Sequence, residues 1–429
     1  MVRPAHYAII AATLHGNRGA QAMAETVIGT VGDADASARF EFFSYYPSED
    51  RARLSDPRVR VHSSTPAALV LWLLPWSILF GLLRLLAGDR VLSVAPRAIR
   101  ALGRSRVLVD LAGVAFIDGR EKFLPFNVLT LLPAWLLGTP VVKMPQATGP
   151  FRNAFNRACA RLVLPRCHAV WARGARTYAH LQESGLAALR FSQADDIAFN
   201  YEPRWSLTTE HEDKLQPVLA RIRELRHAGI RGVIGVCPSS VVAVQSTKAG
   251  TGYEAALVDV VCALLRSGLG VVLFPNATRD EAGDAQRNND LPLIRRVATA
   301  ISKSESEHLV AVDFDINAAG IKAVIGAMDV VLVSRFHAMV GALSLGVPPA
   351  VLGWSHKYAE VMARFGLEDR VLDYKTAAPA DLHATVEMVF GERESLRARI
   401  LQALPAVKAS AARPVQALLT DHLGRDDVG

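Results

Sequence analysis

Residues 330–358 read VVLVSRFHAMVGALSLGVPPAVLGWSHKY, and this stretch decides the fold. It opens on the apolar run Val330 to Val333, passes a Ser-Arg-Phe-His step, and continues through small and apolar residues that suit a helix. A second apolar run, Ala350 to Leu352, follows, and then Ser355, His356 and Lys357. A short continuous apolar run is what a strand covered on both faces looks like, and strand, helix, strand is the pattern of a parallel crossover. The cationic side chains therefore fall where two buried strands stop. In an open parallel sheet ligands bind beyond that carboxyl edge, because loops and helix N-termini converge there.

The same alternation extends in both directions. Before it, the expected strands are His6 to Ala12, Phe40 to Ser44, Val107 to Leu111, Pro140 to Met144 and Ala169 to Trp171. Helices are expected over Ala20 to Val31 and Phe151 to Leu164. A charged stretch, TTEHEDKLQPVLARIRELRHAGIRG (208–232), reads as an exposed helix whose start marks a domain boundary. The alternation then restarts with Val233 to Val236, Val271 to Phe274, Leu309 to Val312, Val330 to Val333 and Ala350 to Leu352. The expectation is α/β: a first domain over 1–205, a second over 206–378, and C-terminal helices over 379–429.

At 429 residues the chain is comfortable for two such domains. Half of it is apolar, and basic residues exceed acidic ones to give a net charge of +7. The basic residues are spread along the chain, which suits anionic ligands or an anionic membrane face and argues against nucleic acid, for which a clustered stripe is expected. The four cysteines, Cys159, Cys167, Cys237 and Cys262, make no metal-ligand spacing and read as buried free thiols of a reducing compartment. The N-terminal MVRPAHYAIIAATLHGNRGA has too short an apolar run for a secretory signal and reads as a first strand. Residues 66–88, PAALVLWLLPWSILFGLLRLLAG, approach a membrane span in length but are interrupted by Pro75 and closed by Arg84 and Arg90. Trp72 and Trp76 are rings of the kind that rest at a headgroup boundary. A monotopic membrane contact is the expectation here, with a helix buried against the sheet as its competitor and a true span as the third choice.

The strand ends of the second half carry Ser239-Ser240, then Asn276 and Arg279, then Ser334-Arg335-Phe336-His337, and finally Ser355-His356-Lys357. Ser334 stands where an N-cap belongs, and the helix beyond it offers backbone N–H groups and the positive end of its dipole. With Arg335, His337, Lys357 and Arg279 this edge suits a phosphate or carboxylate. Each cation alone has a plainer reading: Arg335 could pair with an acid such as Asp329, and His337 could be a core histidine. Together they repel unless an anion sits among them. In the first half, TLHGNRGAQAMAETVI (13–28) places Gly16, Asn17 and Gly19 at a strand-to-helix turn that is neither a dinucleotide fingerprint nor a Walker loop. The loops DLAGVAFIDGREKF and MPQATGPF add Asp110, Asp118 and Gln146 as candidates for gripping hydroxyls.

The motifs SRFHAMVGALSLGVPPAVLGWSHKYAEVMARFGLED, GNRGAQAM, MPQATGPF and FPNATRDE, in that combination, resemble the polysaccharide pyruvyl transferase family, the colanic-acid type included. The resemblance implies two Rossmann-like domains in a GT-B-like arrangement, phosphoenolpyruvate as donor in the second domain, and a saccharide acceptor on the side of the first. Arg335 and His337 would hold the donor as catalytic residues. Ser334, Ser355, His356, Lys357, Arg279, Asn276, Asn17, Gly19, Asp118 and Gln146 would bind substrates. The family often has Asp directly after the N-terminal glycine, where this chain has Ala20, and its glycine triplet after the third strand is reduced to Ala112-Gly113. No cofactor or structural metal is expected; Mg²⁺ is not indicated. The expected location is the cytoplasm, at the inner membrane face if the acceptor is lipid-linked. The rival readings are a GT-B glycosyltransferase using a nucleotide sugar and a membrane-attached homologue that has lost catalysis.

Overall fold

Short apolar runs, most of them buried on both faces, form the strands of two all-parallel sheets in the computed structural model. It describes residues 4–186, 189–203, 209–279, 288–302, 306–353, 355 and 357–420. The contacts divide the chain into two units. The first holds the chain up to His15, Met23–Ile197, and the residues from Ala409 on; the second holds Gly16–Ala22 and Ala198–Lys408.

The first unit contains β1 (His6–Ile10), β2 (Arg39–Ser44), β3 (Val59–Ser63), β4 (Val107–Asp110), β5 (Val141–Gln146), β6 (Ala169–Arg173) and β7 (Phe191–Ala194). They lie in the order β3-β2-β1-β4-β5-β6-β7. The second contains β8 (Val233–Cys237), β9 (Gly270–Leu273), β10 (Leu309–Ala311), β11 (Val330–Val333), β12 (Pro349–Gly353) and β13 (Val371–Asp373), in the order β10-β9-β8-β11-β12-β13. Each sheet reverses its winding after its first strand, between β1 and β4 and between β8 and β11. This is the doubly wound Rossmann order, and the reversal point is where ligands bind. In register, Val330 faces Ile234 and Val331 faces Pro349, so β11 lies in the middle of its sheet and its end opens at that point.

Residues 66–93 form one continuous helical run, with a π turn at Leu69–Leu73. Its stripe of Leu69, Leu73, Ser77, Phe80 and Gly81 is buried on the first unit. Close packing demands the glycine, since a Cβ on Gly81 would sit 2.5 Å from the Leu136 carbonyl oxygen. The opposite side is apolar and exposed: Leu71 is 76% exposed, Leu85 84% and Leu86 85%. The run is neither wrapped in the core nor apolar-exposed all round; one stripe is held by the protein and the other faces outward.

All four cysteines are free; three are buried and Cys159 is half-buried, against the expectation that all are interior. Burial pushes the Cys167 thiol up to about 12, so it is inert at neutral pH.

Candidate functional site

At the carboxyl edge of the second sheet three loops are tied to one carboxylate. Asp290 is fully buried and accepts from the backbone N–H groups of Ser240 at 2.9 Å, Asn276 at 3.2 Å and Ala277 at 2.9 Å. It also pairs with the Arg335 guanidinium, whose Nε lies 3.0 Å away. Arg335 spends its other donors on Asn288 Oδ1 at 2.7 Å and Ser240 Oγ at 3.0 Å. Burial would lower the guanidinium pKa, but Asp290 outweighs it and raises the value, so Arg335 is charged throughout. The expectation of an open fork of donors is therefore corrected: Arg335 holds the β8, β9 and β11 loops together. The partner is not Asp329, which accepts from Arg226 and from the Val233 N–H. Ser334 is not the helix cap either. Arg335 occupies the cap position of the helix Phe336–Ser344, while Ser334 is buried, its hydroxyl accepting from Tyr253 and its carbonyl from Tyr358.

His337 is the second residue of that helix and leans over the segment Gly16–Ala22. A Cβ built on Gly19 would lie 2.0 Å from His337 Nδ1, so only glycine lets the imidazole rest there. Gly19→Ala is expected to displace the ring and lower turnover about a hundredfold at nearly unchanged melting temperature, a separation that parallel activity and thermal scans check. Beside His337, a cavity of about 30 Å³ is lined by Arg18, Asn276 and Lys322 among others. That volume suits a water rather than a larger anion.

Two cations that the sequence reading missed face this cavity. Arg18 is 2% exposed and donates to Thr278 Oγ1 at 2.8 Å and Gln21 Oε1 at 3.0 Å, and it pairs with Asp315. Lys322 donates to the Tyr201 carbonyl, and burial first, then Lys408, brings its pKa down to about 8. Of the expected residues, Asn276 joins them, its carbonyl accepting from the Arg18 N–H at 3.3 Å. Asn17 caps its helix through the Ala20 N–H. Arg279 packs on Gly16, where a Cβ would come 2.9 Å from its Nε. Lys357 packs its ammonium 4.8 Å from the Phe336 ring centroid. Ser355 Oγ is buried and has no hydrogen-bond partner among the described residues, and His356 lies outside them.

The first unit has its own loaded edge. Ala11 after β1, Phe116 beyond β4 and Phe151 beyond β5 all adopt positive φ (62°, 51° and 64°). Non-glycine residues pay for that conformation, and such strain gathers at functional edges. Below these loops Asp110 pairs with the buried Lys143, its neighbour across β4 and β5. Asp118 accepts from the Arg152 N–H and from Asn156 Nδ2, both at 2.7 Å, and so ties two loops together. Gln146 Oε1 and Thr148 Oγ1 are buried with no hydrogen-bond partner among the described residues. Buried polar atoms of that kind call for a partner. A cavity of about 350 Å³ in the same unit is lined by Phe151, Arg152, Arg157 and His180 among others, and His180 Nδ1 lies 3.2 Å from the Thr148 carbonyl.

The family profile of the polysaccharide pyruvyl transferases matches residues 17–356, most of the chain, and takes in Ser240, Asn276, Arg335, His337 and Ser355. The chain belongs to the polysaccharide pyruvyl transferase family. Among solved structures, this family member is similar to Anabaena HepE in complex with UDP and glucose, at 12% identity and a TM-score of 0.55, covering 97% of this chain and 98% of that one. It is similar to a glycosyltransferase from Rickettsia africae at 10% identity and TM-score 0.57, covering 98% and 100%. A UDP-forming trehalose-phosphate synthase from Burkholderia vietnamiensis aligns at 13% identity and TM-score 0.54, covering 98% and 99%. At such identities the likeness is one of fold: this family member has two Rossmann-like domains, as GT-B enzymes do.

Proposed function

We propose that the protein transfers the pyruvyl group of phosphoenolpyruvate to hydroxyls of a saccharide acceptor in cell-envelope or extracellular polysaccharide or glycolipid assembly. The observation that carries the reading is His337 seated on Gly19 at the reversal point of the second sheet, inside the span matched by the family. The methylene carbon of the donor takes a proton, which we assign to His337, and the neighbouring carbon becomes electrophilic. An acceptor hydroxyl bonds there and its proton restores His337; phosphate departs with the C–O bond pair, and a second hydroxyl bonds to the same carbon, its proton leaving with phosphate, to close the ketal. Lys322 and the helix N-terminus bearing His337 stabilise the phosphate. Arg335 keeps their loops in place. Asn276, Arg279, Ser355 and Lys357 complete the donor side. Phosphate release from phosphoenolpyruvate, measured over a panel of synthetic and lipid-linked saccharides, tests the reading; no release with any acceptor overturns it.

Lys322 gives the reaction a pH signature. It carries its charge below about pH 8 and loses it above, so KM for phosphoenolpyruvate is expected to climb as pH rises past that value. Lys322→Arg, which stays charged, is expected to flatten the climb.

A nucleotide-sugar donor is the second reading, favoured by similar structures solved with UDP. UDP-sugars run in the same panel distinguish the two. The exposed apolar side of helix 66–93 supports attachment of the enzyme to the inner membrane face, where lipid-linked acceptors are assembled.

A further inference from the structure

On the first unit, away from the carboxyl edge, the sheet face under β1, β2 and β3 borders an open cavity of about 1030 Å³. Five arginines line it. Arg97, Arg100 and Arg104 come from one side of the helix Arg97–Arg104, spaced so that they project together, while Ala98, Ile99 and Leu102 of that helix are buried. Arg60 comes from β3 and Arg51 from the helix before it. Among the described residues none of these five pairs with a carboxylate; Arg51 and Arg100 donate only to the carbonyls of Val61 and Ser93.

Two acids line the cavity, and both are taken. Glu41 is clamped between His6 Nδ1 at 3.1 Å and His62 Nε2 at 2.7 Å, and Asp56 is held by Arg58. Burial would raise the Glu41 pKa, but the two imidazoles outweigh it and hold it at about 2, so the carboxylate does not go looking for an arginine. Five guanidiniums facing one space repel each other unless an anion joins them, and their planar forks match phosphate oxygens.

The helix that carries three of them follows directly on the apolar run 66–93. Val94, 79% exposed, lies three residues before Arg97, and Arg100 Nη1 bonds the Ser93 carbonyl at 3.1 Å, fastening the basic wall to the end of the apolar one. An apolar stripe continuous with a basic pocket has the two signals that membrane attachment requires, each too weak alone.

We propose that this pocket takes the phosphate headgroup of an anionic phospholipid while the outward side of helix 66–93 enters the lipid interface. This rests on the membrane part of the proposed function and not on the identity of the donor.

The test is sedimentation of the full chain with vesicles of phosphatidylcholine alone or with about one third phosphatidylglycerol, the anionic lipid raising affinity about tenfold or more. The triple variant Arg97→Ala, Arg100→Ala, Arg104→Ala is expected to bind neutral vesicles as the wild type does and to lose the anionic gain, about fivefold per arginine. Leu82→Ser, Leu85→Ser, Leu86→Ser is expected to weaken binding to both vesicle types. Removing the same charge from the second unit, with Lys214, Arg221 and Arg223 changed to Ala, is expected to change neither. The proposal is overturned if the arginine variant keeps the anionic gain, if the remote control loses as much, or if the wild type binds no vesicle. It is also overturned if inorganic diphosphate raises the melting temperature of the wild type and not of the arginine variant while vesicle binding is equal in both, which would make the pocket a site for a soluble phosphate ester. Phosphate release with a water-soluble acceptor is expected to be unchanged in the arginine variant, and it judges the donor assignment separately.

Discussion

Replacing His337 with asparagine is expected to lower kcat for phosphoenolpyruvate by about 10²–10⁴-fold, with folding intact. Asparagine keeps a polar, planar side chain at the second position of the helix Phe336–Ser344 and fits over Gly19, giving up the edge-on ring contact with Phe336. What it cannot do is pass a proton to carbon. A reaction run in D₂O adds a second readout: the wild type is expected to place one deuterium in the new methyl group. Full turnover in His337→Asn would remove the proton-donor role, and an equal loss of thermal stability would make the residue structural.

The second large effect concerns stability. Asp290→Ala is expected to cost about 3–5 kcal/mol, the usual penalty for stripping a buried charge of its partner. The Arg335 guanidinium would be left uncompensated, and the N–H groups of Ser240, Asn276 and Ala277 would lose their acceptor together. Urea denaturation of the full chain measures it. The double variant Asp290→Leu, Arg335→Met is expected to recover much of the stability but not the activity, because an apolar pair fills the space without holding three loops in register. Equal destabilisation in single and double variants would show that the loss comes from the backbone acceptors rather than from the orphaned charge.

How much of this was legible in the sequence depends on where each residue finds its partner. Ten of the thirteen strands announce themselves as apolar runs, and all ten are found. The three that were missed, β3, β7 and β13, are edge strands. Their sequences, VRVHS, FSQA and VLD, are short and partly exposed, so no unbroken apolar run marks them. The site divides in the same way. His337 and the loops ending in Ser240, Asn276 and Lys357 follow from the rule that strand ends face ligands. Asp290 does not, because it sits 45 residues from Arg335, at the start of a helix rather than the end of a strand. Arg18 meets Asp315 across 297 residues, a pairing no local pattern can disclose. Lys322 occurs among small apolar residues of the helix Ala318–Gly326, where a lysine reads as solvated. Lys143 could have been found: a lysine inside the buried strand VVKMPQ demands an acid, and Asp110 ends the strand beside it.

The long reach of Arg18 also sets a timetable for biosynthesis. Domains generally fold as they leave the ribosome, amino-terminal part first. Gly16–Ala22, however, is held by Thr278 and Asp315, so nascent chains must carry these seven residues without their acceptors until the strand preceding Asp315 has been translated. Chains halted before that point carry Arg18 at the start of their first helix with Gln21 within reach but without the pair of Thr278 and Asp315.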